Sequence, residues 1–307
     1  MRELIIIRTH YYCEATERLY HYLKNTSNRD VAFICDETNG AVDVGTGKVK
    51  LSISEQSAKD MGLYAPPNFG WLCGDYFLYA AAQLLNAYDR YWMIESDVRL
   101  SLPSSAEFFD NFSDEHHDFL AFHTFRAQSN WYWHAPMCYF EPEVYACLFP
   151  VVGISRRAAK FAFQARRQIS QSFDDVVPIG QTRRWPNDES FLTSILMANG
   201  FNCNSLDAGP VKYRTNASFN VGLPKSERRI SEQEPTGLFY HPVHAGQRFV
   251  SKANTWLNTY TYNKASKERL AEVFHNGFLQ DLQSEASDQD VLAFESRLRQ
   301  AIDSAPT

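Results

Sequence analysis

The 307-residue sequence has no surplus of basic charge: 30 Lys and Arg stand against 36 Asp and Glu, a net charge of −6. Non-specific nucleic-acid binding needs a basic surface that displaces counterions from phosphates, so nucleic acid is not expected as a partner. The six cysteines (Cys13, Cys35, Cys73, Cys138, Cys147 and Cys203) include no CxxC pair and no zinc-type spacing. Cys35 and Cys138 lie in apolar, strand-like runs and are expected as small buried thiols. No stretch approaches the ~20 apolar residues of a membrane span. The apolar run from Leu4 to Ile7 is too short for the core of a secretory signal. The expectation is a reducing, cytoplasmic setting with no transmembrane segment, peripheral membrane association being left open.

Two familiar motifs are also incomplete. Around Gly45-Thr46-Gly47-Lys48, Val42 stands where a phosphate loop needs glycine and Val49 where it needs Ser or Thr. Gly153-Ile154-Ser155 starts like a nucleophile elbow, but Arg157 replaces the closing glycine.

What remains is an ordinary globular mixture. Hydrophobic residues at 44% and charged residues at 21% exclude wholesale disorder. The length suffices for one large domain or two modest ones, each with a core. Aromatics reach 14%, with 22 Phe, 16 Tyr and 6 Trp. So many Tyr and Trp suit large amphipathic fillers, and equally a surface that stacks on ring-shaped ligands.

Along the chain, Leu4 to Ile7 reads as a buried strand ending at Arg8-Thr9, and Leu19, Tyr22 and Leu23 mark a helix after it. Val31 to Cys35 is a second buried strand, closed by Asp36-Glu37. Strand, helix and strand make a βαβ unit, which builds parallel sheets with ligands at the strands' C-terminal ends. Residues 38–70 read as turns. From Asp75 a helical stripe runs through Phe77, Ala80, Ala81, Leu84 and Leu85. Tyr91 to Ile94 is a central strand, with further strands at 118–123 and near 150–155. Helices are expected over 156–171 and 188–199, the latter stopped by Gly200. Residues 201–250 read as loops, and the chain beyond 263 as a charged helical tail.

The segment from Tyr91 to Arg99 carries the most chemistry. Side chains two apart on a strand share a face, so Glu95 and Asp97 should point together. Two such carboxylates repel unless a cation lies between them, and Mg²⁺ or Mn²⁺ prefers such oxygen ligands. The alternative is a solvated strand end with Asp97 paired to Arg99.

An apolar strand followed by Glu95-Ser96-Asp97 resembles the DxD motif of the GT-A-fold, nucleotide-sugar-dependent glycosyltransferases, in an ExD variant. The resemblance extends to the polar strand end Arg8-Thr9, the acid Asp36 and the helix start Gly74-Asp75-Tyr76. It also takes in the acidic helix start Trp185 to Phe191 and the late histidine segment Tyr240-His241-Pro242-Val243-His244. It covers roughly residues 3–250 and implies a GT-A (Rossmann-like) α/β fold. That fold has a mixed, mainly parallel sheet flanked by helices over 1–262, with a C-terminal helical tail over 263–307.

The resemblance further implies a hexosyl or pentosyl transferase that moves a sugar from a nucleotide-diphosphate sugar to a carbohydrate acceptor, with a divalent metal (Mn²⁺ or Mg²⁺). A place in surface-polysaccharide or glycolipid biosynthesis goes with it. The metal would be held by Glu95, Asp97 and one late histidine, His244 before His241. Asp188 or Glu189 would be the catalytic general base, their alternative being a helix N-cap and an acidic first turn. Arg8, Thr9, Asp36 and Asp75 would bind the donor nucleotide, with an N-cap as the alternative for Asp75. Trp131 and Trp133, in the run Trp131-Tyr132-Trp133-His134, would stack on the acceptor sugar or else anchor a loop. Arg156, Arg157, Arg183 and Arg184 are solvated cations or contacts for diphosphate. Two other functions compete. A sugar nucleotidyltransferase would carry a Gly-rich basic loop after its first strand, where this chain has Arg8-Thr9-His10-Tyr11-Tyr12. A non-catalytic carbohydrate-binding protein could keep the fold without the chemistry.

Overall fold

The computed structural model describes residues 1–113, 116–176 and 184–306, so Arg183 lies outside the described residues. The strands in chain order are β1 (Glu3–Thr9), β2 (Asp30–Asp36), β3 (Val49–Ile53), β4 (Arg90–Glu95), β5 (Arg99–Ser101), β6 (Phe119–Arg126), β7 (Tyr145–Ser155), β8 (Cys203–Ser205), β9 (Lys225–Ser226), β10 (Leu238–Tyr240) and β11 (Val243–His244). The chain divides into two compact units. The first is Met1–Ser96 with Ser104–Val211, and the second is Asp97–Pro103 with Lys212–Thr307.

In the first unit seven strands form one sheet in the order β3-β2-β1-β4-β7-β6-β8. β3, β2, β1 and β4 run parallel, β7 is antiparallel to both β4 and β6, and β8 returns parallel to β6. This is the expected mixed, mainly parallel α/β sheet. Ile5, Ile6 and Ile7 are wholly buried because β1 is central and covered on both faces, which is why its sequence is a continuous apolar run and not an alternation. Residues 38–70 hold the edge strand β3, which turn signals concealed. In the helix Glu14–Thr26 the buried stripe uses Leu19, Tyr20 and Leu23, while Tyr22 is only half-buried. The helix Gly74–Leu84 buries its residues through Ala82, and Leu84 is exposed. Helices Arg156–Val176 and Asp188–Ala198 fall where periodicity put them, and Gly200 leaves the second in the left-handed region (φ 73°). Cys35 is buried in β2 as expected, but Cys138 is exposed beyond the short helix His134–Met137. Its neighbours form a turn of helix, so its side chain is not drawn into the sheet.

Asp75 and Arg166 meet in this core with no exposure, Arg166 Nε donating to the Asp75 carboxylate at 2.8 Å. Tyr79 donates to the same carboxylate at 3.0 Å, and the guanidinium lies 3.9 Å from the centre of the Phe191 ring. Arg166→Met strands a buried carboxylate and should cost about 3–5 kcal/mol of stability. Urea unfolding measures it, and an unshifted midpoint would show that the pair contributes little.

In the second unit β5 pairs antiparallel with β10, and β9 parallel with β11. Residues 201–250, read as loops, thus contain β9, β10, β11 and the helix Glu227–Glu232. The helix Gly246–Tyr262 shares one apolar cluster with the helices after it, through Phe249, Leu257, Phe274, Phe278 and Phe294. None of the described helices is long and apolar enough to cross a membrane.

Candidate active site

The sheet order places β2 and β3 on one side of β1 and β4 on the other. Between β1 and β4 the chain reverses its direction of growth, and at such a switch point the helices diverge and leave a crevice at the strands' C-terminal ends. The last paired residues there are Arg8 and Glu95, opposite one another in register. Arg8 Nη1 donates to Glu95 Oε1 at 2.8 Å and lies 3.9 Å from Asp188 Oδ2, and Nη2 donates to the Gly70 carbonyl. The guanidinium sits 4.9 Å above the centre of the Phe77 ring. One cation therefore holds two acids from distant parts of the sequence.

Asp188 and Glu189 open the helix capped by Asn187, whose side chain accepts from the Ser190 amide at 3.1 Å. Their roles divide. Asp188 is buried, accepting from the Gly74 amide at 2.8 Å and from the Glu189 amide at 2.8 Å. Burial pushes its carboxyl well up, against the pull of Arg8. Glu189 is half-buried, with a side-chain contact of 3.2 Å from Asn187 Nδ2. Burial pushes its carboxyl up to about 7, the Asn187 hydrogen bond opposes this, and the charge of Glu95 adds to it.

Gly70 and Gly74, on either side of this cluster, are there for close approach. A methyl on Gly70 would run into the Asp36 carboxylate, and one on Gly74 into Arg8, Asp188 and Phe149. Gly74→Ala should cost about 1–3 kcal/mol through overpacking and displace the Arg8 guanidinium. Thermal unfolding tests this, and a wild-type melting temperature would refute it.

Asp36 ends β2 and accepts from the Thr38 amide at 3.0 Å. It lines a cavity of about 340 Å³ with His10, Tyr11, Tyr12, Asn39 and Asp43. Thr9 is buried and its hydroxyl donates to the Tyr11 carbonyl at 2.5 Å, so it shapes the turn beside that cavity. Asp75 is neither at this crevice nor an N-cap; Arg166 holds it in the core. Arg156 pairs with Asp89, and Arg157 with Asp118. Trp131 is half-buried against the core, whereas Trp133 lies 6.0 Å from Trp71, centre to centre. Arg184 covers Tyr132 at 4.3 Å.

β4 ends at Glu95, and the chain turns at Ser96-Asp97. Asp97 is therefore carried by a turn and not by the strand itself. In the second unit the Asp97 carbonyl accepts from the Val243 amide at 2.8 Å. Its carboxylate faces two imidazoles, His241 Nε2 at 3.7 Å and His244 Nε2 at 4.0 Å. Burial works to raise the Asp97 carboxyl, but the fields of His241, His244 and Arg99 outweigh it and leave it lowered. Arg99 makes its ion pair with Glu227, at 2.7 Å, not with Asp97. His241 Nδ1 lies 2.7 Å from the Asn220 carbonyl, a contact that assigns the ring proton to Nδ1 and turns the Nε2 lone pair toward Asp97. Burial lowers His244 to about 4, so it is neutral at pH 7, and its buried Nδ1 takes no hydrogen bond among the described residues. Lone pairs facing a carboxylate beyond hydrogen-bond distance are a donor set suited to a small divalent cation.

Sequence reading did not single out Gly70, Trp71 or Arg166. Two glycines four residues apart ahead of a helix were the available signal for Gly70.

No protein-family profile matches the chain, and no curated protein matches it. Among solved structures it is similar to a glycosyltransferase involved in glycosylation of the major capsid of PBCV-1. The identity there is 12%, covering 80% of this chain and 92% of that one, with a TM-score of 0.36. It is also similar to mouse xyloside xylosyltransferase 1 in its apo form, at 10% identity, 78% and 97% coverage and a TM-score of 0.38.

Proposed function

We propose that the chain is a GT-A-type glycosyltransferase that moves a sugar from a nucleotide-diphosphate sugar to a carbohydrate acceptor with the help of a divalent ion. The observation that carries this reading is the Arg8–Glu95 pair at the switch point between β1 and β4, followed two residues after Glu95 by an acid that faces two imidazoles. Asp97 would hold the ion with His241 or His244. By the acid-x-acid spacing in the sequence, Glu95 would be a further ligand, directly or through water. When bound, the ion supplies Lewis-acid stabilisation of charge on the departing diphosphate. Arg8, near the end of β1, would offer a fixed positive charge to the donor's phosphates. Asp36 and the cavity next to it would take the nucleoside. Glu189 would accept the proton of the attacking acceptor hydroxyl, which its carboxyl pKa of about 7 suits near neutral pH. Asp188, with both oxygens occupied by amides, would position Arg8 and the helix.

A thermal-shift screen of UDP, GDP, CDP and TDP with and without Mn²⁺ tests the reading. A ligand at a hundred times its Kd stabilises by about 2.7 kcal/mol, so one nucleotide should raise the melting temperature and should need Mn²⁺ to do so. No shift with any of the four would overturn it. Turnover of a nucleotide sugar separates this enzyme from a non-catalytic carbohydrate-binding protein. Release of pyrophosphate from a nucleoside triphosphate and a sugar phosphate would instead identify a nucleotidyltransferase.

A further inference from the structure

We propose that Trp71, Tyr132 and Trp133 form a platform that holds an oligosaccharide acceptor across at least two consecutive sugar rings, an inference that rests on the glycosyltransferase reading for its place in the reaction. Trp71 is 69% exposed and Tyr132 59% exposed, and Trp133, which touches both, is half-buried. Indole and phenol rings stabilise a fold when buried, so two such rings left largely in water on either side of a third mark a surface that something else covers. The three are contiguous: Trp71 and Trp133 are 6.0 Å apart with their planes at 58°, and Tyr132 and Trp133 are 4.7 Å apart at 85°. None is stacked flat on another, and the edge-to-face contact of Tyr132 with Trp133 uses one face of that pair only. The Arg184 guanidinium lies over the Tyr132 ring, 4.3 Å from its centre, so it covers one face of Tyr132 and brings hydrogen-bond donors to the patch.

Flat apolar faces edged by a planar donor match a pyranose, which has an apolar C–H face and a rim of hydroxyls. A lipid surface is better met by exposed aliphatic chains, and the exposed large residues of this patch are rings. Two indoles 6.0 Å apart with their planes at 58° do not both lie flat on one sugar ring, so a glycan that touches both spans successive sugars. The platform is also rooted beside the reacting end. Trp71 directly follows Gly70, whose carbonyl accepts from Arg8 and whose α-carbon lies against Asp36. A glycan lying on Trp71 is thereby held next to the residues assigned to the donor.

The test is equilibrium binding of cello-, malto-, chito- and mannohexaose and of their monosaccharides, without nucleotide or metal, to the full chain and to Trp71→Ala and Trp133→Ala. Tryptophan fluorescence or NMR reads it, and circular dichroism checks the fold of each variant. At least one hexaose should bind, its monosaccharide about tenfold or more weaker, and Trp71→Ala should weaken the hexaose about tenfold while leaving the monosaccharide unchanged. Absence of binding by every hexaose, equal binding of hexaose and monosaccharide, or wild-type hexaose affinity in Trp71→Ala overturns the platform. So does a Trp71→Ala loss seen with phosphatidylglycerol vesicles in place of hexaose. Hexaose binding in a protein that answers no nucleotide leaves the platform standing and removes glycosyl transfer; the converse result removes the platform alone.

Discussion

Asp97→Ala should abolish Mn²⁺-dependent nucleotide binding and lower turnover by about a thousandfold, with the sheet intact. A Lewis acid at a departing diphosphate contributes several kcal/mol, and each 1.36 kcal/mol is tenfold in rate, which gives that scale. Asp97 is the acid that His241 Nε2 and His244 Nε2 both face, at 3.7 and 4.0 Å. Its part in the fold is made by its main chain, whose carbonyl accepts from Val243, and alanine keeps that bond. Calorimetry with Mn²⁺ and the nucleotide found by thermal shift measures the binding, and far-UV circular dichroism checks the fold. Full activity in the variant would falsify the metal assignment. His241→Ala should follow Asp97→Ala in direction, because the contact with the Asn220 carbonyl fixes that ring in a ligand's orientation.

Glu189→Gln should reduce kcat by roughly 10²–10⁴-fold, the range for loss of a general base. The wild-type rate should rise with pH up to about 7, where the Glu189 carboxyl ionises, and then level off. The variant should lose that limb. Stability should move the opposite way. A carboxyl whose pKa is raised on folding binds more protons in the folded than in the unfolded chain between the two values, so its contribution falls as pH climbs from about 4.5 to about 7. Glutamine removes that loss, so Glu189→Gln should melt higher than wild type at pH 8 and show little difference at pH 4. Asp188→Asn should be the milder change for kcat and the worse one for melting, because Asp188 accepts from two backbone amides. If both variants turn over normally, the proton leaves through another group.

The sheet was readable where burial shapes the sequence directly. Central strands β1, β2 and β4 are covered on both faces and read as unbroken apolar runs. The edge strand β3 carries Val49, Lys50 and Ser52 among turn residues, so its sequence looks like a loop. β7 joins β4 antiparallel, and nothing in its own residues states a direction. The second unit was the least legible: its strands are two or three residues long, too short for a period to register.

The same division runs through the candidate site. Local order in the chain determined that acids and Arg8 end apolar strands, that Asn187 caps a helix with Asp188 and Glu189 in its first turn, and that histidines flank Pro242. Partner choice belonged to the tertiary structure. Arg99 pairs with Glu227 across 128 residues and Asp75 with Arg166 across 91, and in neither case does the nearer alternative hold. Two carboxyls next to one another, Asp188 and Glu189, differ in role because one is turned to two amides and the other to the Asn187 side chain. A strand or a cap is set by a few neighbouring residues, whereas an ion pair or a shifted pKa depends on what distant segments bring into a low-dielectric space, and that is settled only when the chain folds.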